Sequence, residues 1–215
     1  MTHVLITSGP TRQYLDPVRY LTNASSGRMG RALAEAALAL GYRVTIVSGP
    51  VALRYPRQAE LVEVESTEQM LQACQQFFPR CDGLIAAAAP CDYRPQVVSD
   101  RKLVKTGQPL TLVLEETPDI VATLAAGKRP EQWIVGFALE THDARLNALA
   151  KLERKSCDLM VINGPEAMNA ATNHVEIVDR QGRQIDCITG SKELVAQALL
   201  AVIDQLLVRR LPPSL

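Results

Sequence analysis

The sequence predicts an α/β fold in which a doubly wound, mostly parallel sheet carries helices on both faces. Two observations lead to this prediction. Short β-branched runs alternate with segments of helical periodicity, which is the pattern of parallel strands joined by helical crossovers. Two of the connections that follow strands are unusually long, and in such a sheet they leave the carboxyl ends of strands, where ligands bind.

The first half of the chain is predicted to alternate strands with helices. The first helix carries one apolar stripe and stops at Gly41, a residue type suited to a left-handed helix end. Ser66 and Gln69 form the capping-box pattern that begins the next helix. In chain order the predicted elements are Val4–Thr7, Ser26–Leu40, Val44–Val47, Leu61–Val64, Thr67–Phe78 and Gly83–Ala88.

The second half is predicted to continue this pattern and to end in a small β-hairpin extension. Thr117 is the expected N-cap of a helix with Pro118 at its first position. The hairpin is expected around Gln181-Gly182, a turn sequence between two β-branched runs. The remaining predicted elements are Ile134–Phe137, Ala144–Lys155, Leu159–Ile162, the hairpin strands Val175–Val178 and Gln184–Ile188, and Lys192–Val208 before a flexible tail over 209–215.

Composition indicates one compact domain over residues 1–215. The chain is 47% hydrophobic and 21% charged, enough for a substantial core. Lys+Arg and Asp+Glu both number 23, so the bulk charge favours neither nucleic acid nor a membrane surface. No apolar run approaches a spanning helix and no leader is evident, so we expect a cytoplasmic protein. The 5 cysteines include no Cys-x-x-Cys pair, and the 3 histidines are scattered, so neither a disulfide framework nor structural zinc is expected.

The connection after the first predicted strand is one candidate site. It runs from Ser8 to Ser25 and is rich in Arg, Asp, Asn and Gly. Arg19 and Asn23 are expected to project into a space beside the following helix, where N–H groups and the helix dipole can hold a phosphate. A purely capping role for Asn23 and the serines is the simpler alternative, but it does not require so long a polar connection. The residues predicted to bind substrate and phosphate are Gly9, Ser25, Ser26 and Gly27.

Two further stretches are candidates for nucleotide binding. Ala86–Ala89 is a row of small residues at a strand end and leads to Asp92, which can accept hydrogen bonds from a ribose or help hold a metal. A basic flap from Arg101 to Lys105 can neutralise a triphosphate, as can Lys151 and Lys155, one helical turn apart. From spacing alone, tight packing and a turn explain the first stretch slightly better, and solvated surface lysines are the usual explanation of the second.

Seven motifs, taken in order, resemble the phosphopantothenoylcysteine synthetase family. Each motif is weak alone, but the ordered set covers nearly the whole chain up to the last helix. The match is closer to the bacterial type, which is often fused behind a flavoprotein decarboxylase; here we expect a separately encoded decarboxylase. The motifs are Ser8-Gly9-Pro10-Thr11-Arg12, Leu15-Asp16-Pro17-Val18-Arg19, Asn23-x-Ser25-Ser26-Gly27-x-Met29-Gly30, Asp92-Tyr93-Arg94-Pro95, Lys102-x-x-Lys105, Pro118-Asp119-Ile120-Val121 and Gly136-Phe137-Ala138-x-Glu140-Thr141.

The resemblance implies a Rossmann-like fold, a homodimer, CTP as the nucleotide and Mg²⁺ bound mainly through the nucleotide phosphates. It implies a ligase of coenzyme A biosynthesis that activates 4'-phosphopantothenate as an acyl-cytidylate, releases pyrophosphate and forms an amide with L-cysteine. Asn23, Arg19 and Lys102 would be the catalytic residues, with Lys102 on a flap over the phosphates. The nucleotide would be surrounded by Ala86, Ala87, Ala88, Asp92, Lys102, Pro118, Asp119, Ile120, Val121, Phe137, Lys151 and Lys155.

Three positions depart from the family pattern, and two other functions compete with the ligase. Pro90-Cys91, Val104 and Asn163-Gly164 replace residues that are common in the family, and Val104 removes a flap lysine. An NAD(P)-dependent oxidoreductase would need an acidic residue at the tip of the second strand, where Ser48-Gly49-Pro50 stands instead. A non-catalytic nucleotide-sensing module would not need Arg19 or Asn23. Sequence-level physics does not decide between CTP and ATP.

Overall fold

A computed structural model describes residues 1–139, 142–164 and 172–210. Its central sheet has eight strands in the order β12-β11-β10-β9-β6-β1-β4-β5. The strands from β10 to β5 are parallel, and the antiparallel pair β11–β12 extends one edge. The strands of this sheet are β1 His3–Ser8, β4 Arg43–Ser48, β5 Glu60–Glu63, β6 Gly83–Ala86, β9 Trp133–Leu139, β10 Leu159–Asn163, β11 Thr172–Asp179 and β12 Gln184–Ser191.

In the described residues, five α-helices cover the two faces of the sheet. The central strands are apolar on both faces, so neighbours such as Leu5 and Ile6 are both fully buried. One core cluster joins the sheet to α1 and α5, and the other joins it to α2, α3 and α4. The predicted fold class is therefore confirmed. The helices are α1 Arg28–Ala39, α2 Thr67–Phe77, α3 Ile120–Ala126, α4 Ala144–Arg154 and α5 Lys192–Ile203.

The predicted helix ends are confirmed for α1 and α2. Ser66 Oγ accepts a hydrogen bond from the Gln69 N–H at 3.2 Å, and Gln69 Oε1 accepts one from the Ser66 N–H at 3.2 Å, which completes the capping box. Gly41 follows α1 with a φ of +78°, and its N–H donates to the Leu38 carbonyl at 2.9 Å. A left-handed residue at this point closes the helix at low steric cost only when it is glycine.

The predicted start of α3 was wrong. The helix begins at Ile120, and its N-cap is Asp119, whose Oδ1 accepts a hydrogen bond from the Ala122 N–H at 3.1 Å. Thr117 lies two residues upstream of this cap, and its hydroxyl instead donates to the Cys91 carbonyl at 2.6 Å. The aspartate two residues later supplies a better acceptor for the first-turn N–H groups.

Both long connections contain short strands that the sequence pattern did not reveal. In the first, β2 Arg12–Asp16 and β3 Arg19–Thr22 form an antiparallel hairpin. In the second, β7 Tyr93–Pro95 pairs antiparallel with β8 Leu114–Glu116, and the flap lies between them. These two small sheets project from the carboxyl end of the main sheet.

The C-terminal part follows the prediction with one change. The β11–β12 hairpin turns at Gly182, whose φ is +71°. After Ile203 the last helix widens into a π-helical turn over Asp204–Val208, and Arg209 then pairs with Asp204 at 2.7 Å. Residues 211–215 of the predicted tail lie outside the described residues. In the part of the chain that the structure describes, we find no helix with the length and apolar character needed to cross a membrane.

Candidate functional site

The carboxyl ends of β1 and β6 meet where the strand order reverses. β1 lies between β4 and β6, so the crossovers that follow β1 and β6 leave in opposite directions. Their long connections start side by side, because the Ala89 N–H donates to the Gly9 carbonyl at 2.9 Å and Pro10 forms a parallel bridge with Ala89. This is the position at which open α/β sheets bind ligands.

The first of two cavities at this point has a volume of about 490 Å³. Its wall combines the carboxyl ends of β6 and β9, the turn before α3 and the last turns of α4. Its size and its mixture of apolar and charged groups are typical of a small-molecule site. The predicted nucleotide-binding residues that line it are Ala86, Ala88, Asp92, Pro118, Asp119, Ile120, Val121, Phe137, Lys151 and Lys155.

The second cavity, about 450 Å³, lies against the start of α1. Asn23, Ser25, Ser26, Gly27 and Ala87 are the predicted site residues that line only this cavity. The two cavities adjoin, so a ligand group in one can reach a ligand group in the other. The residues that border both are Ala88, Pro90, Asp92, Phe137, Lys151 and Lys155.

The N-terminus of α1 opens onto the second cavity without a side-chain cap. Gly27 is the N-cap, in a left-handed conformation with a φ of +73°, and no side chain caps the helix. A Cβ atom at Gly27 would lie 2.9 Å from Val51 Cγ1, so glycine is required on both grounds. The simpler alternative, that Asn23 and the serines cap the helix, is therefore not supported. The first-turn N–H groups remain available for an anion.

Asn23, in the first long connection, forms hydrogen bonds to the start of the second one at the wall of the second cavity. Its Nδ2 donates to the carbonyls of Ala89, at 3.2 Å, and Pro90, at 2.8 Å. These bonds fix the orientation of the side-chain amide, so its oxygen points away from the two carbonyls. Asn23 is thus a rigidly held amide on the wall of the cavity.

The lysine pair on α4 stands between the two cavities. Lys151 lies in the last turn of the helix and Lys155 at its C-cap, one helical turn later. Lys155 Nζ forms an ion pair with Asp119 Oδ2 at 3.1 Å, which ties α4 to the start of α3. The two lysines thus place positive charge at the junction, where the carboxylates of Asp119 and Asp92 also lie.

Arg19, Lys102 and Gly9 are not among the residues that line either cavity. Arg19 Nη1 donates to Asp16 Oδ2 at 2.8 Å and to the Leu103 carbonyl at 2.7 Å. The β2–β3 hairpin and the flap are therefore in direct contact, on the same side of the molecule, and Lys102 is exposed on the flap. Gly9 forms the turn after β1, with a φ of +72°.

Sequence reasoning missed four polar residues of the second cavity, which are Arg28, Asn163, Asn173 and Lys192. Lys192 begins α5, and its Nζ donates to Asn173 Oδ1 at 3.0 Å. Burial lowers the pKa of Lys192, and the nearby charge of Arg28 lowers it further. Asn163 ends β10, and its Oδ1 is the buried side-chain oxygen for which the described residues offer no hydrogen-bond donor. The position of Asn163 directly after a predicted strand could have identified it as a site residue. No sequence signal identifies Lys192 or Asn173, because they reach the cavity only through the fold of the C-terminal hairpin.

Two of the departures from the family pattern have clear structural places. Cys91 is buried, its N–H donates to Thr11 Oγ1 at 2.8 Å, and burial raises the pKa of its thiol, so it packs the base of the first connection. Val104 is 78% exposed on the flap. Cys74, Cys81, Cys91 and Cys157 are buried, and Cys187 is exposed. Glu140 and Thr141 of the last motif lie outside the described residues.

No acidic residue stands at the end of β4 to bind a dinucleotide ribose. The strand ends at Ser48, and the chain continues as Gly49-Pro50 without a carboxylate. A Cβ atom at Gly49 would lie 1.6 Å from the Pro10 carbonyl oxygen, so the first connection packs directly over this strand end. This arrangement argues against the oxidoreductase alternative.

Comparison with known proteins agrees with this architecture. The chain is 39% identical over 210 residues to the coenzyme A biosynthesis bifunctional protein CoaBC of Vibrio vulnificus (strain CMCP6), covering 95% of this chain and 52% of that protein. The chain thus spans about half the length of the curated relatives it matches.

Solved structures match over nearly the full chain. The crystal structure of the C-terminal domain of coenzyme A biosynthesis bifunctional protein CoaBC has a TM-score of 0.81 and 37% identity, covering 97% of this chain and 96% of that one. A Cab2 mutant in complex with phosphopantothenate-cysteine has a TM-score of 0.76 and 19% identity, covering 97% and 88%, and shows likeness of fold alone. A family profile described as DNA/pantothenate metabolism flavoprotein C-terminal domain matches residues 1–207. The chain therefore belongs to the DNA/pantothenate metabolism flavoprotein C-terminal domain family, which confirms the family resemblance carried by its ordered motifs.

Proposed function

We propose that this chain is a phosphopantothenate–cysteine ligase of coenzyme A biosynthesis. It uses CTP to activate the carboxylate of 4'-phosphopantothenate and joins the activated group to L-cysteine. The observation that carries the proposal is the pair of adjoining cavities at the switch point of the sheet. One cavity suits a nucleotide, the other suits a phosphate-bearing acid, and a lysine pair stands where the two reactants meet.

The first step joins the two substrates at this junction. A carboxylate oxygen attacks the α-phosphorus of the nucleotide, the bond from that phosphorus to pyrophosphate breaks, and an acyl-cytidylate forms. Lys151 and Lys155 offset the negative charges that must approach each other and that develop on the departing pyrophosphate. Mg²⁺ would be bound mainly through the nucleotide phosphates, and the Asp92 carboxylate on the shared wall suits such an oxygen-coordinated ion.

The second step transfers the acyl group to cysteine. The amine of cysteine attacks the carbonyl carbon, the amine loses a proton, and CMP leaves. Asn23 is held by two backbone carbonyls at the wall, so it can orient the activated group without reorganising during the step. Arg19 and Lys102 act from the hairpin and the flap that close the site against water.

The pantothenate end of the substrate fits the second cavity. The start of α1, with Ser25, Ser26 and Gly27, takes the phosphate, and the Lys192 ammonium lies in the same cavity. The buried oxygen of Asn163, which has no donor among the described residues, can accept a hydrogen bond from a hydroxyl or amide N–H of the pantothenoyl arm.

The proposal also includes a homodimer, a cytoplasmic location and a decarboxylase that consumes the product. The segment between β7 and β8 supports the dimer, because it exposes apolar side chains that a monomer has no reason to present together. These side chains are Val97, Val98, Val104, Leu110, Leu112 and Val113. Analytical ultracentrifugation would give twice the monomer mass, and a monomer at micromolar concentration would remove the dimer from the proposal.

The test of the reaction is a reconstitution with 4'-phosphopantothenate, L-cysteine, Mg²⁺ and either CTP or ATP. Pyrophosphate and the amide product are followed separately, and a parallel fluorescence titration with NADPH serves as the control for a dinucleotide site. We expect pyrophosphate and amide in equal amounts with CTP, little with ATP, and no NADPH binding. Absence of pyrophosphate with both nucleotides would refute the ligase.

A further inference from the structure

Asp16, at the end of β2, is a fully buried carboxylate in a polar part of the chain. Its Oδ1 accepts hydrogen bonds from the N–H groups of Val18, at 2.8 Å, and Arg19, at 2.9 Å. Its Oδ2 accepts from Arg19 Nη1 at 2.8 Å and from the Leu103 N–H at 3.0 Å. Both oxygens therefore have two donors, and one of the four comes from the flap, 87 residues away.

The tie between Asp16 and Leu103 is the main attachment of the flap. The Arg19 guanidinium also donates to the Leu103 carbonyl at 2.7 Å, so both backbone polar groups of Leu103 are bound to the Asp16–Arg19 pair. In the run 101–110 only Leu103 is even partly buried, and the other nine residues are exposed. Within one protomer, apolar packing therefore contributes little, and polar contacts with the β2–β3 hairpin hold this segment. The Ser99 N–H adds one bond, to the Leu15 carbonyl, at 3.0 Å.

We infer that Asp16 is a positioning residue, which fixes the flap against the β2–β3 hairpin and so decides how much activated intermediate reaches the amine. The inference rests on the proposed function and deepens it. An acyl-cytidylate has two fates: the amine of cysteine attacks its carbonyl carbon and CMP leaves, or water attacks that carbon, CMP leaves and the carboxylate returns. The second fate consumes a nucleotide and yields no amide. A flap that is released from Asp16 admits water and raises the share of the second fate.

Two variants break the tie from opposite sides. Asp16→Asn keeps the size of the side chain but removes its charge and one acceptor oxygen. Leu103→Pro removes the N–H that donates to Asp16, together with the partly buried Leu103 side chain, and the rest of the segment is exposed and lies outside the core. Asp100→Asn, which removes an exposed carboxylate from the start of the flap, is the matched control.

The first readout is independent of catalysis. Trypsin digestion of the full chain is followed at Lys105, because a proline at position 103 blocks cleavage after Lys102. Asp16→Asn and Leu103→Pro should each speed cleavage by about tenfold or more, and Asp100→Asn should match the wild type. Circular dichroism melting checks that the variants remain folded.

The second readout is the ratio of amide product to pyrophosphate at saturating cysteine. This ratio should be near one for the wild type and Asp100→Asn, and should fall about threefold or more in the two tie variants. The double variant should be no worse than the more impaired single variant, because both changes remove the same contact.

The two readouts test the proposed function and the positioning role of Asp16 separately. A wild-type chain that releases no pyrophosphate ends the proposed function, while the trypsin result still judges the tie. A wild-type chain that couples well, with an unchanged ratio in both tie variants, overturns the positioning role of Asp16 whatever the digestion shows.

Discussion

Replacement of Gly30 by alanine tests the close contact between α1 and β1 that shapes the second cavity. Gly30 lies in the first turn of α1, and a Cβ atom there would lie 2.1 Å from Ser8 Oγ and 2.5 Å from Ser8 Cβ. Ser8 is fully buried, and its hydroxyl bonds to the Gly27 carbonyl and the Tyr55 hydroxyl. Ordinary carbon contacts need about 3.5–4.0 Å, so the helix must move by roughly 1 Å.

Two opposing contributions decide whether Gly30→Ala raises or lowers the free energy of unfolding. Alanine gains about 1 kcal/mol over glycine from helix propensity. Overpacking of a filled core costs about 1–3 kcal/mol, and disturbance of the Ser8 hydrogen bonds adds about 1 kcal/mol. We therefore expect Gly30→Ala to lower the free energy of unfolding by about 2 kcal/mol and the urea midpoint by roughly 1 M. A shift of the start of α1 should also raise KM for the phosphate-bearing substrate.

Gly127→Ala is the matched control for this experiment. A Cβ atom at Gly127 would meet only the Leu124 carbonyl oxygen, at 4.0 Å, and the Gly127 φ is −105°. Its free energy of unfolding should be unchanged or raised by up to about 1 kcal/mol. A urea midpoint for Gly30→Ala equal to or above that of the wild type would refute the reasoning.

Four further predictions concern the site and its surroundings. Asn23→Asp should leave pyrophosphate formation largely intact and slow amide formation by about 10²–10³-fold in a quenched-flow assay, because the positioned amide is lost. Equal loss in both half-reactions would show that Asn23 does not act specifically in the transfer to cysteine. Lys192→Met should raise KM for 4'-phosphopantothenate by about tenfold and leave KM for CTP unchanged, and parallel increases would argue against a phosphate contact. Burial would raise the pKa of Asp16, but the hydrogen bonds from Val18, Leu103 and Arg19 lower it overall. The stability that the Asp16 carboxylate contributes is therefore present above about pH 4 and is lost as pH falls through the lowered pKa. The difference in free energy of unfolding between the wild type and Asp16→Asn, measured in urea, should accordingly disappear in acid. An aromatic disulfide reagent should label one thiol rapidly in the native protein and all 5 after unfolding. The Cys187→Ser variant should lack the rapid phase. The other thiols react slowly because they are buried, and burial raises the pKa of Cys74, Cys81 and Cys157 to about 12.

Sequence reasoning succeeded where local signals and burial agree. The central strands and the helices α1, α2 and α4 have strong periodicity, and Gly41 and the Ser66–Gln69 box mark helix ends by mechanisms that act within a few residues. The shared wall of the cavities was also predictable, because the carboxyl ends of parallel strands meet at one edge.

The rest depends on contacts between distant parts of the chain. β2 and β3 are short and polar, and their hairpin carries no apolar alternation that a pattern could reveal. Asp16 reads as a solvated turn residue, yet it is buried because the flap supplies a donor from far along the chain. Lys192 and Asn173 reach the second cavity only because the C-terminal hairpin extends the sheet beside β10.

Transfer of isotopically labelled oxygen tests the central claim, that the two cavities let the carboxylate attack the α-phosphorus and hold the product for the amine. 4'-Phosphopantothenate labelled with heavy oxygen in its carboxylate is incubated with the protein, CTP, Mg²⁺ and L-cysteine, and the products are analysed by mass spectrometry. The account predicts one labelled oxygen in CMP, one in the amide and none in pyrophosphate. Label in pyrophosphate or in inorganic phosphate, with none in CMP, would contradict it.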